Sequence, residues 1–169
     1  MSRFVPALTV LAALLLQVGL APYIAIGGVV PNMLLLIVVT LALVKGPRTG
    51  MIAGFGAGLL FDLLGTTPIG AAALVFCVVG FVAGSVQQNT FADGWLVPLI
   101  IVFVSSLAAE TLFALLLAVL GEGQLTIDAV TGGVLPAAVY NAALAALTYP
   151  WVARFLRREK PMTTFKRLA

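Results

Sequence analysis

A chain of 169 residues with 62% hydrophobic and 9% charged positions and a mean hydropathy of +1.19 has too little polar surface to face water on all sides. Its net charge of +3 does not point to nucleic acid, because the cations sit at the edges of apolar runs without interleaved aromatics. Histidine is absent, which removes the commonest general base and metal ligand together. The single cysteine, Cys77, lies in an apolar run, reads as a small core hydrophobe and can form no intramolecular disulfide.

The first apolar run, Phe4 to Leu20, follows Arg3 and superficially matches a signal peptide ending at Gly19-Leu20-Ala21. The rest of the chain is equally hydrophobic, so the run reads as a retained first helix. A second run, about Val29 to Val44, is entered through Pro31, whose fixed φ and missing N–H suit a first helical turn. The polar stretch Lys45-Gly46-Pro47-Arg48-Thr49-Gly50 reads as the turn that ends it. A short glycine-rich run from Met51 to Leu64 closes at Gly65-Thr66-Thr67-Pro68. Further runs cover about Ile69 to Val86, Trp95 to Leu120 and Val134 to Phe155.

Six spans of roughly 20 residues use about 120 residues and leave only short loops. The expected fold is therefore an all-α integral membrane protein: one compact six-helix domain over residues 1–155 and a basic cytoplasmic tail over 156–169. With the N-terminus inside, all nine Lys and Arg residues fall on the cytoplasmic side. The outer loops (about 21–28, 65–68 and 121–133) hold none, so both ends are placed in the cytoplasm. Trp95, Tyr149 and Trp151 then fall at the cytoplasmic interface. The second and third spans cover only about 21–23 Å against a hydrocarbon core of ~30 Å. Such spans either borrow residues from Gly27 to Val30 or cross where protein shields their ends; a re-entrant hairpin is the alternative, but it puts Lys45 and Arg48 on the wrong side.

Gly50, Gly54, Gly58 and Asp62 recur every four residues on one face of the third span. Small residues let helices approach closely in lipid, either inside the bundle or against another protein. Gly80-x-x-x-Gly84 is a weaker copy. Glu110 lies about 15 Å inside the outer end of the fifth span, where a charge costs ~2.5–3.5 kcal/mol. Gln17 and Asn141 fall at comparable depths and Asp62 lies near the outer end of its helix; with Glu110 they are expected to form an intramembrane polar cluster, as structural glue or, alternatively, as a proton or solute path. Ser85, Ser105 and Ser106 have no histidine or embedded lysine to activate them. There is no Walker A or dinucleotide fingerprint, no metal-ligand set, and no reason to expect catalysis or a cofactor.

Pro31-Asn32 opening the second span, then Gly54-Phe55 and Gly58-Leu59-Leu60-Phe61-Asp62 in the third, resemble the core of the rod shape-determining protein MreD family. Ile69-Gly70 before an alanine-rich span and Tyr140-Asn141 in the last helix, with Pro150 beyond, agree with it. The resemblance runs over roughly residues 5 to 155. It implies a non-catalytic multi-pass subunit of the bacterial inner membrane, working in lateral cell-wall elongation and peptidoglycan synthesis. The implied partners are MreC directly, and MreB, RodA and a class B penicillin-binding protein in the wider complex. It also implies a fold similar to the six-helix substrate-binding subunits of energy-coupling-factor vitamin transporters, which supplies an alternative function. Against that alternative, the first helix lacks their Ala-x-x-x-Ala docking pattern: Ala7, Ala12 and Ala13 are followed four residues later by Leu11, Leu16 and Gln17. A membrane-assembly chaperone is a third class.

Overall fold

The computed structural model describes residues 4–65, 68–89, 96–122, 126 and 130–157. Among these the chain is all-helical: α1 (Val5–Gly19), α2 (Met33–Lys45), α3 (Pro47–Leu64), α4 (Ala71–Asn89), α5 (Leu96–Val119) and α6 (Leu135–Arg157). A 3₁₀ turn, Ala21–Ile24, follows α1, and a π turn, Val130–Val134, leads into α6. Three helical stretches are long and apolar enough to cross a bilayer: Ala71–Gln88, Leu96–Val119 and Thr131–Leu156. Helices α1 and α2 are apolar but shorter. Trp95 and residues 158–169 lie outside the described residues.

Helix α2 organises the bundle. Its 13 residues are apolar on every side apart from Thr40 and Lys45, and a helix that is hydrophobic all round belongs in a core. Leu34, Leu35, Val38, Val39 and Leu41 are fully enclosed, and α2 touches α1, α3, α4, α5 and α6. Thr40 satisfies its hydroxyl on Leu36 O at 2.8 Å. At about 20 Å, α2 is too short for lipid on its own, but protein rather than lipid surrounds it.

Three boundaries differ from expectation. Helix α2 begins at Met33, with Asn32 as its cap, so Pro31 stands before the helix rather than in its first turn. The stretch from Lys45 to Gly50 is not a loop. Gly46 alone makes the turn, at φ +93°, and Pro47 opens α3, where its missing N–H costs nothing. Helix α6 continues through Leu156, which is fully buried, so the domain edge expected at 155 falls inside the helix. Tyr149, expected at the membrane interface, belongs to the core cluster with Ala145 and Ala153, whereas Trp151 is exposed. Residues two apart on a helix point to nearly opposite sides, and Tyr149 is on the inward one.

Candidate functional site

Helices α3 and α4 approach most closely of any pair, because glycines line both faces of their contact. A methyl group placed on Gly50 strikes Gly80 O and Ala42, one on Gly54 strikes the Phe76 carbonyl, and one on Gly58 strikes Ala72 and Ala73 backbone. Gly84 meets Pro47 in the same way. The four-residue stripe is thus directed inward at α4, with Gly80-x-x-x-Gly84 as its counterpart. Phe55 of the same helix points outward, 53% exposed, and Leu59 is half-buried. Gly56, two positions from the stripe, would carry a methyl with nothing within 4 Å of it.

Asp62 ends the stripe and is buried at 1% exposure. Its carboxylate reaches across the turn to the start of α4. Oδ2 accepts from Gly70 N–H at 2.9 Å and Ala73 N–H at 3.2 Å, and Oδ1 accepts from Ala72 N–H at 3.1 Å. Ala71 N–H donates to Pro68 O and Leu74 N–H to Gly70 O. Every N–H from Gly70 to Leu74 is therefore satisfied. Within a membrane this matters more than in water, because no solvent stands ready to take the free donors of a helix start. The negative charge also suits the positive end of the helix dipole.

A second cap is assembled from three helices around Asn32. The Asn32 side chain accepts from Leu35 N–H at 3.0 Å, and Asn32 N–H donates to Asn141 Oδ1 at 2.9 Å. Gln17 uses both ends of its amide: Nε2 donates to Pro31 O at 3.1 Å, and Oε1 accepts from Met33 N–H at 2.6 Å. Glu110 on α5 lines the same small cavity as Asn32 and Gln17. One residue before Asn141, the Tyr140 hydroxyl donates to Ile24 O at 2.5 Å. Tyr140-Asn141 thus fixes both ends of the segment between α1 and α2. That segment turns at Gly27-Gly28, both at positive φ, between the paired Ile26 and Val29, the geometry of a two-residue type I′ turn.

The structure brings Gln17, Glu110 and Asn141 together and sets Asp62 apart. Asp62 bonds to the α4 start, one helical junction away, and does not line the small cavity of about 210 Å³ that Gln17, Asn32 and Glu110 share with Phe61, Phe76 and Phe113. Asn32, which sequence reasoning places only in a motif, is the hub of the cluster. The signal was present as an Asn directly before an apolar helical run, the ordinary pattern of a cap. Asn141 Nδ2 is buried with no partner among the described residues. No group of three His, Cys, Asp or Glu side chains able to hold a metal occurs among the described residues.

A family model described as rod shape-determining protein MreD matches residues 1–159. No curated protein and no solved structure matches the chain. The chain belongs to the MreD family: a membrane protein of the rod-shape-determining system, in a family not known for enzymes.

Proposed function

We propose that this MreD-family chain is a non-catalytic scaffold of the bacterial inner membrane, crossing it six times with both termini in the cytoplasm. In this reading it holds MreC directly and, through it, the peptidoglycan-synthesis machinery of lateral wall growth. One observation carries the proposal beyond family membership. Four polar side chains of the bundle, Gln17, Asn32, Asp62 and Asn141, each bond backbone N–H groups at helix starts. Side chains committed in this way hold a rigid shape and leave little for turnover.

The same observation favours an activity on the outside of the bundle. The glycine stripe supports the α3–α4 pair, so a partner helix meets other surfaces. The half of α5 beyond Glu110 is one: the buried residues of that helix end at Ala109, and Leu112, Leu115 and Val119 are exposed.

Purification from the native host in mild detergent, followed by mass spectrometry, tests the proposal. MreC is expected among the co-purifying proteins. Recovery of a vitamin and an energy-coupling ATPase in place of MreC replaces the scaffold with a transporter subunit.

A further inference from the structure

Gln17, Asn32 and Asn141 are spent on N–H groups at the α2 start, and Asp62 on those at the α4 start. Glu110 takes no part in these caps and lines the adjoining cavity of about 210 Å³. Glu110 and Phe113 stand three residues apart on α5 and so share one face of that helix. Phe61 of α3 and Phe76 of α4 form further walls, their ring centres 6.2 Å apart and their planes 42° from parallel. Among the described lining residues Glu110 is the only ionisable one, and no Lys or Arg joins it.

These groups favour positive charge. A carboxylate carries negative charge outright, and an aromatic ring carries negative potential on its faces. The N–H donors that would turn the site toward an anion are already taken: Met33 N–H by Gln17, Leu35 N–H by Asn32 and Asn32 N–H by Asn141. A bare metal ion fits poorly, because hard cations need about six oxygens and much of this wall is ring. An alkyl-ammonium group suits both parts, its N–H groups on the carboxylate and its carbons against the phenylalanines. The size agrees, since the cavity is smaller than the roughly 300–1,000 Å³ of pockets for drug-sized ligands. It takes a small head rather than a vitamin. Val30 lines the cavity and is itself 44% exposed, and Glu110 is partly exposed. A ligand therefore reaches the carboxylate from the surface with both caps intact.

We propose that this cavity binds a small alkyl-ammonium group, with Glu110 as its counter-ion and Phe61, Phe76 and Phe113 as its aromatic walls. A free amine and the head of an aminophospholipid both supply that group, and the test separates them. The site rests on the cavity and goes beyond the scaffold reading, whose own test, recovery of MreC, is independent of it.

The experiment is a titration of the purified full-length chain in mild detergent with propylammonium and with neutral 1-propanol, read by ligand-observed NMR. Wild type is expected to bind propylammonium at least about tenfold more tightly than 1-propanol, as a charge-assisted hydrogen bond and ring contacts allow. Glu110→Gln keeps the size of the cavity and should bring the two probes to parity. Phe113→Leu keeps an apolar wall but removes a ring; it should weaken propylammonium about threefold and leave 1-propanol nearly unchanged. Melting temperatures without ligand check that both variants fold, and either variant serves if the other does not. Displacement of propylammonium by phosphatidylethanolamine but not by phosphatidylglycerol assigns the ammonium to a lipid head; displacement by neither assigns it to a free amine. Equal binding of the two probes by wild type overturns the site. So does an undiminished preference for propylammonium in either variant, or displacement by phosphatidylglycerol, which gives the cavity to an acyl chain.

Discussion

At the scale of single residues, Gln17, Asn32, Asp62 and Asn141 are defined by the backbone N–H groups they serve. Asp62 accepts three N–H groups, and Asp62→Ala strands all of them where water is scarce. A buried donor without an acceptor costs about 1–3 kcal/mol, so the variant should lose at least ~2 kcal/mol and melt well below wild type in detergent. Asp62→Asn keeps one acceptor oxygen and should fall between them; an unchanged melting temperature for Asp62→Ala would remove the cap from the account. Glu110 makes a different case. It lines the cavity beside Gln17 and Asn32, and Gln at 110 keeps a polar group of the same size there, so Glu110→Gln should be nearly as stable as wild type. Glu110→Leu sets an apolar side chain against those polar groups and should lose a few kcal/mol at most. If instead both variants keep stability and lose MreC, the carboxylate acts on a partner rather than inside the bundle. The depth of Gln17, Glu110 and Asn141 was legible in the sequence because helical rise alone sets it. That they meet at Asn32, while Asp62 turns away to α4, was not, because lateral position depends on how the helices are arranged around α2.

At the scale of elements, the α3–α4 pair separates glycines that look alike in sequence. Gly58 and Gly56 share one helix, yet an added methyl collides with Ala72 backbone at the first and enters open space at the second. Backbone cannot rotate aside as a side chain does, so Gly58→Ala must push the helices apart, at a cost of about 1–3 kcal/mol. Gly56→Ala should be neutral or stabilising by up to ~1 kcal/mol, from helix propensity alone. Parallel thermal melts of the two variants check this, and equal melting temperatures would contradict the packing described. The stripe was readable because four-residue spacing keeps a face together. Its partner was not, since the period of one helix carries no address for another. The start of α3 is hidden in the sequence for a local reason. Gly46 reverses the chain in one residue, so the polar residues Arg48 and Thr49, which resemble a loop, are already helical.

At the scale of the whole molecule, the helices end at two levels. The α2 start bonds to Asn141 and shares a cavity with Glu110, yet α5 runs nine residues beyond Glu110 to Val119 and α6 begins six residues before Asn141. These extensions amount to about 13 Å and 9 Å. The segment between α1 and α2 is held against the α6 extension by Tyr140. Short helices and long ones thus share one bundle, which explains why apolar length alone marks fewer spans than charge placement does. Hydropathy and the distribution of Lys and Arg are properties of the sequence, so membrane residence and an expected orientation were readable there; the step was not, because it depends on which residues meet. The orientation of the six spans is the central claim, and impermeant-maleimide labelling of intact cells tests it most directly. With Cys77 replaced, a cysteine at Thr126 should react from outside and one at Thr164 should react only after the cells are permeabilised. The reverse pattern, or labelling of Thr164 from outside intact cells, would contradict a six-span bundle with both ends in the cytoplasm.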